Sequence, residues 1–561
     1  MKGMKGFMIL TGADILIETL IEQGTEVVFG YPGGTVLNIY DALYKNSERI
    51  KHIITAHEQG AAHAADGYAR VSGKVGVVLA TSGPGATNLV TGIANAYLDS
   101  IPMVAITGNV ATSLMGKDSF QEVDIVGVTM PITKHNFVVN DVNMLADTIR
   151  EAFMIAKSDR PGPVLVDIPK DIQINTAEFS SKPVDEVKDK TKVNPEDIEK
   201  VLKLISKSKK PYIYCGGGVL KANASEEILA LSNMIDAPIG CSMMGLSAIP
   251  SDFDKNLGMT GMHGTYPSSK AKSEADLVFA VGVRFSDRAT GDKSKYASHA
   301  KIIHIDIDEA EINKNINAYL GITGNVKTVL KEILARLPKA NKKPEWEQEI
   351  ADMKKYEEEN LYKSECKLSP QQVIDIVSKY TKADTPIATD VGQHQMWVAQ
   401  RYKFSTPNTF ITSGGLGTMG FGMGAAIGTC VGSKKPTVLF TGDGSFGMNL
   451  NELATAVSQN LPIVVIVLNN GVLGMVRQWQ TLFYEKHYAE TTLNRKTKFA
   501  ALADAFGATG MSAETPEDFE ECLKKAFDLK SPVVIDCLID KDERVLPMIP
   551  AGNSIEHLIL N

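Results

Sequence analysis

The chain has 561 residues, and at roughly 100–200 residues per domain that length excludes a single core and implies about three or four domains. Its 58 Lys and Arg against 66 Asp and Glu leave a formal charge of -8, which disfavours nucleic acid or an anionic membrane surface as the main partner. With 44% apolar and 22% charged residues, wholesale disorder is excluded as well.

The opening MKGMKGFMIL has only a short apolar run before Thr11, too little for a signal-peptide core. No later stretch reaches about 18 uninterrupted apolar residues, so no membrane span is expected. Up to about residue 175, helix-like stretches (Ala13 to Gln23, Glu58 to Val71, Ala86 to Asp99) alternate with apolar runs at Val75–Ala80, Pro102–Thr107 and Val164–Ile168. Such β-α-β alternation builds a mostly parallel sheet covered on both faces. A first domain is expected over 1–178, and the polar stretch Thr176 to Glu196 reads as a linker. The alternation returns over 190–338, with strands at Tyr212–Cys215, Leu277–Val281 and Ile302–Asp306 around a Gly216-Gly-Gly218 turn. Residues 339–368 are highly charged, helix-capable and poor in apolar surface to bury, and read as a second connector. A third domain, 369–561, carries strands at Thr437–Phe440, Ile463–Leu468 and Pro532–Asp536. The fold class is α/β, with three doubly wound parallel-sheet domains. Six cysteines without a C-x-x-C pair suit reduced thiols and a cytoplasmic setting.

The sharpest motif lies in the third domain. Strand Thr437–Phe440 opens into Thr441-Gly-Asp-Gly-Ser445, and twenty-four residues after GDG the next strand ends in Asn469-Asn-Gly471. A right-handed β-α-β unit brings two such strand ends together, so Asp443 and Asn470 can offer oxygens to one hard cation while Gly442 and Gly444 admit a phosphate. Either piece alone is an ordinary turn or loop. Both pieces, at this spacing and each after a strand, resemble the Mg²⁺-diphosphate signature of thiamine diphosphate enzymes, and further stretches are similar to the acetolactate synthase catalytic-subunit family over nearly the whole chain.

The resemblance implies a pyrimidine-binding first domain, a central FAD-binding domain and a diphosphate-binding third domain. It implies decarboxylation of pyruvate and transfer of the hydroxyethyl unit to a second 2-oxoacid, pyruvate or 2-oxobutyrate, in branched-chain amino acid biosynthesis. Glu58, in HEQGAAHAADGYAR, takes the place of the carboxylate that activates the cofactor through its aminopyrimidine ring, for which partial burial and a raised pKa are suited. Gly33 in Tyr31-Pro-Gly-Gly34 and Gln121 take substrate-assisting places, Phe120 a place in the substrate channel, and Lys170 the substrate entrance. Val391, Gly392, Gln393 and His394 resemble the diphosphate-contacting loop, and Gly417 and Met419 the segment that bends the cofactor. Gly442, Asp443, Gly444, Ser445 and Asn470 hold the diphosphate, with Asp443, Asn470 and the Val472 carbonyl on Mg²⁺. Gly474 and Met475 complete the cofactor set, and Trp479 and Arg288 face the second substrate. Arg160, Gly216, Gly217, Met262, His263, Gly282, Arg284, Asp287, Arg288 and Asp306 resemble the FAD set. In it glycine turns admit a pyrophosphate, arginines offset its charge and Asp306 accepts from ribose or adenine.

The sequence departs from the family at Ala111 (usually proline), Gly424 (often proline) and Asn325 (often an aspartate on FAD). These put channel stiffness, herbicide sensitivity and flavin affinity in question. A homodimer or homotetramer is expected, because relatives place the cofactor between two subunits. A small regulatory subunit, valine inhibition and acceptor preference stay open. Pyruvate oxidase is the nearest rival. A glyoxylate carboligase would lack the Glu58 carboxylate, a noncatalytic scaffold would not need Glu58, Asp443 and Asn470 intact, and an NAD dehydrogenase is disfavoured by the missing G-x-G-x-x-G strand-to-helix turn.

Overall fold

The computed structural model describes residues 8–338 and 342–561. Residues 1–7, the beginning of the opening stretch read above, and residues 339–341 at the head of the charged connector lie outside the described residues. Three six-stranded sheets follow one another along the chain, every pairing within them parallel. In the first, the spatial order is Lys51–Ile54, Val27–Gly30, Gly76–Ala80, Met103–Asn109, Pro163–Pro169 and His135–Val138. The central sheet runs Asn256–Met259, Ile239–Cys241, Pro211–Cys215, Leu277–Val281, Lys301–Asp306 and Leu320–Thr323. The third runs Phe410–Ile411, Ile387–Thr389, Thr437–Gly442, Ile463–Asn469, Val533–Leu538 and Thr509–Ala513. The inner strands are buried along nearly their whole length, as continuous Val/Ile/Leu runs covered by helices on both faces require. Among the described residues no helix is long and apolar enough to cross a membrane.

Three stretches differ from the sequence reading. The segment after Asn175 is not linker from its start: Thr176–Phe179 is a strand paired antiparallel with Met8–Thr11, because Ala177 and Phe179 alternate into the core of the first unit. The charged connector contains the helix Pro344–Asn360, which buries Trp346, Ile350 and Met353. These three recur at helical spacing and make one apolar stripe in an otherwise charged segment, so the helix docks on the central unit. There the Trp346 indole N–H donates to the Pro211 carbonyl at 3.0 Å. The stretch Ala86 to Asp99 is likewise two helices, Pro84–Thr87 and Val90–Leu98.

One helix pair joins the first and third units. Glu58–Ser72 and Phe421–Ser433 are both rich in Gly and Ala and approach backbone to backbone. A Cβ on Gly428 would overlap the Ala64 carbonyl oxygen, so only glycine lets the axes come this close. The resulting core is shared by both units.

Candidate active site

The parallel sheets present their C-terminal strand ends, and with them the loops, on one side, which is where α/β units bind ligands. In the third unit Gly442 ends the Thr437–Gly442 strand and Asp443 opens the helix Asp443–Asn449. The strands Thr437–Gly442 and Ile463–Asn469 pair directly, so the two strand ends that the sequence spacing paired do meet, and the backbone N–H groups of Asp443 itself, Gly444 and Gly471 lie near enough to the Asp443 carboxylate to lower its pKa. Burial raises its pKa to about 6, against the lowering by those N–H groups. Asn470 accepts from the Val472 N–H at 3.1 Å and donates to Gln393 Oε1 at 3.3 Å. Gln393 in turn donates to Gln478 at 3.1 Å and to the Glu543 carbonyl at 2.9 Å, which fixes the Val391–His394 loop over the same strand ends. Ser445 closes the turn by accepting from the Gly442 N–H at 3.2 Å. His394 lies against Gly392 and Gly442 with its Nε2 buried and unpartnered, and burial takes its pKa down to about 3. The Met419 methyl reaches towards Gly444, so the Gly414–Met419 segment folds over the GDG turn.

Glu58, Gly33 and Gln121 form a second cluster at the strand ends of the first sheet, around the turn Thr81–Gly85. Gly33 packs on the Thr81 side chain, Gly83 on the Gln121 backbone and Gly85 on Glu58 Oε1. Asn88, to which the sequence reading gave no role, donates to Glu58 Oε2 at 2.9 Å. Thirty residues separate the two, and no local signal predicts the bond. Lys170 is exposed at the start of the helix Lys170–Ile174, and Phe120 is 86% exposed. Asp171 accepts from the Thr112 backbone and hydroxyl at 2.9 and 2.6 Å, which ties the Ala111 segment to the Lys170 helix.

A cavity of about 1700 Å³ opens between the central unit and the other two. Its lining contains Arg160, Gly217, Met262, His263, Gly282, Arg284, Asp287, Arg288 and Asp306, all in the expected flavin set, together with Gly417, Met475 and Trp479. Gly216 lies just behind, its N–H donating to the Val281 carbonyl at 2.9 Å. Burial raises Asp306 to about 6 and lowers the Arg284 guanidinium. Arg160 is held by Glu311 at 2.9 Å and by Ser100 at 2.8 Å, so part of its charge is already met within the chain. His263 keeps a buried, unpartnered Nδ1 beside the cavity. The Arg288 guanidinium sits 6.0 Å from the centre of the Trp479 ring, bringing the two expected acceptor-facing residues together across two units. Glu58, Gly33, Gln121, Phe120 and Lys170 are not part of this lining.

Each sheet unit also overlaps a family model. Residues 10–128 match the N-terminal TPP binding domain of thiamine pyrophosphate enzymes, 198–333 the central domain and 390–537 the C-terminal TPP binding domain. The acetolactate synthase large subunit of Haemophilus influenzae is 44% identical over 98% of this chain and 98% of its own length. A probable acetolactate synthase large subunit of Methanocaldococcus jannaschii is also 44% identical, over 98% of this chain and 95% of its own. The same identity holds for the Mycobacterium tuberculosis acetolactate synthase large subunit IlvB1, over 98% and 91%. The chain belongs to the acetolactate synthase large-subunit family. It is a thiamine diphosphate-dependent enzyme that transfers a hydroxyethyl unit.

Proposed function

We propose that the chain forms 2-acetolactate or 2-aceto-2-hydroxybutyrate, condensing the two-carbon unit of pyruvate with a second 2-oxoacid. The observation that carries this reading is the meeting of Asp443 with the Asn470–Gly471 loop at adjacent strand ends. Thiamine diphosphate, when bound, supplies the electron sink for loss of carbon dioxide. Asp443, the Asn470 side-chain oxygen and the Val472 carbonyl would hold Mg²⁺. Among the described residues no group of three or more His, Cys, Asp and Glu side chains forms a metal site. One carboxylate beside an amide and a carbonyl therefore suits an ion that takes its remaining ligands from phosphate and water. The unpartnered His394 Nε2 and the glycines beside it fit a diphosphate at the same place.

Glu58 handles the proton. Asn88 occupies Oε2, leaving Oε1 to exchange a proton with the cofactor's ring nitrogen. Gly33 and Gln121 stand beside it to contact the substrate, and Lys170 and Phe120 flank the approach. Trp479 and Met475 supply an apolar wall for the acceptor's alkyl group, and Arg288 a charge for its carboxylate. FAD fits the large cavity: Gly217 and Gly282 leave room for a pyrophosphate, Arg284 offsets its charge, and Asp306 and His263 offer polar atoms. Because Glu58 lies outside the cavity that Met475 and Trp479 line, a second copy would bring its Glu58 to this chain's diphosphate site, making a homodimer the smallest working unit. A homotetramer and a small regulatory subunit are compatible with this arrangement.

The test is to incubate the purified protein with pyruvate, thiamine diphosphate, Mg²⁺ and FAD and to measure acetolactate as acid-derived acetoin, with oxygen uptake followed in parallel. Acetolactate that disappears when Mg²⁺ or thiamine diphosphate is withheld is the expected outcome; oxygen uptake without acetolactate would move the chain to the oxidases. Asp443→Asn should weaken Mg²⁺ and cofactor binding together. Glu58→Gln should cut turnover by about 100-fold or more while the cofactor stays bound, and full turnover in that variant would refute the proton assignment.

A further inference from the structure

Glu452 belongs to the third unit, in the helical stretch that starts at Asp443, yet its carboxylate is fully buried against the first unit. One carboxylate oxygen accepts from the His57 N–H at 2.9 Å and the other from the Ala56 N–H at 3.2 Å. The Thr455 hydroxyl donates to it at 2.7 Å. Ala56 and His57 are the two residues immediately before Glu58, and His57 is the N-cap of the helix that Glu58 opens. The approach depends on Gly60, where a Cβ would overlap the Glu452 carboxylate. Burial pushes the Glu452 carboxyl up, its three donors hold it down, and the neighbouring Glu58 carboxylate pushes it up again, so the two acids lie close together.

Hydrogen bonds to an ionised carboxylate are roughly twice as strong as neutral ones, and these two grip the backbone from which the Glu58 side chain leaves. On the other side, Asn88 fixes Oε2 of the same side chain. We propose that Glu452 is a positioning residue for Glu58: from the diphosphate-binding unit it clamps the Ala56–His57 backbone and so sets where the Glu58 carboxylate points. This rests on the proton role given to Glu58 above. A buried carboxylate that served folding alone could be satisfied by any nearby donors. This one takes the two N–H groups that precede the catalytic acid, across a boundary between units.

Glu452→Ala and Glu452→Gln test it with three readouts against wild type and Glu58→Gln. In cofactor-free protein, amide hydrogen exchange over residues 55–59 should rise about tenfold in the alanine variant. In the presence of saturating thiamine diphosphate and Mg²⁺, deuterium exchange at the cofactor's C2 should fall about 10- to 100-fold. Thiamine diphosphate affinity and the KM for pyruvate should stay within about threefold, and the glutamine variant, which keeps one acceptor oxygen, should fall less. If Glu452→Ala does not fold, Glu452→Gln decides by the same readouts. C2 exchange at the wild-type rate in a folded variant overturns the inference, as does a fall matched by an equal loss of cofactor affinity. If wild type makes no acetolactate, the functional reading fails. If it does, and Glu58→Gln loses C2 exchange while the Glu452 variants keep it, only the positioning role fails.

Discussion

At the scale of single residues, the buried charges among the described residues separate into those with partners and Lys272, which has almost none. Lys272 is 8% exposed, its ammonium 4.4 Å from the centre of the Tyr296 ring and 3.4 Å from the Ala289 carbonyl oxygen. Burial lowers its pKa from 10.5 to about 8. Between those values the unfolded chain binds the proton that the native protein has released, so stability rises with pH through that window, and below about pH 8 the full cost of the buried charge is present. Lys272→Met should therefore raise stability at pH 7 by about 1–3 kcal/mol and lose that advantage near pH 10, which thermal unfolding at the two pH values would show. Asp443 and Asn470 were legible in the sequence because the spacing of their motif after two strands has a geometric meaning, whereas Glu58 came only from the resemblance to the family. Asn88 and Glu452 were not legible, since what they touch is set by units packing together rather than by neighbours along the chain.

At the scale of elements, the contact between Glu58–Ser72 and Phe421–Ser433 does two jobs, closing the shared core and holding Glu58 at the start of one helix. Gly428→Ala places a methyl against the Ala64 carbonyl, and the resulting separation should cost about 1–3 kcal/mol and lower turnover, seen as a lower denaturant midpoint and a smaller kcat. The small residues of HEQGAAHAADGYAR leave room for another surface to approach closely, but nothing in the run says which one. The reverse error arose in Pro344–Asn360, where charge dominated the composition and three apolar residues at helical spacing were enough to dock the helix. Strands were read well because a doubly covered parallel strand is an uninterrupted apolar run, whereas Thr176–Phe179 contributes only two inward side chains and passed for linker.

At the scale of the whole molecule, one buried ionic network holds the first and third units together. Arg70 pairs with Asp66 at 2.5 Å and Asp99 at 2.8 Å and donates to the Thr412 carbonyl at 2.8 Å. Asp99 in turn accepts from the Gly414 and Gly415 N–H groups at 3.2 and 2.7 Å. The network thus anchors the segment that carries Met419 over the GDG turn. Arg70→Met would leave two carboxylates buried and unpaired, a loss of about 3–5 kcal/mol. It should also raise the thiamine diphosphate concentration needed for half-maximal activity, as a cofactor titration would record. Three α/β units could be counted from the alternation alone. Which faces of them meet could not, because parallel sheets of the same construction give nearly the same pattern wherever they dock.

The strand pair Met8–Thr11 and Thr176–Phe179 brings the two ends of the first unit side by side. That unit is therefore a closed loop of chain, entered and left through one seam. Strain or movement in the residues that lead on to the central unit is borne by this seam rather than by the strands beneath Glu58. A new pair of ends could be opened elsewhere on its surface, once the old ones are joined, without unpicking the sheet.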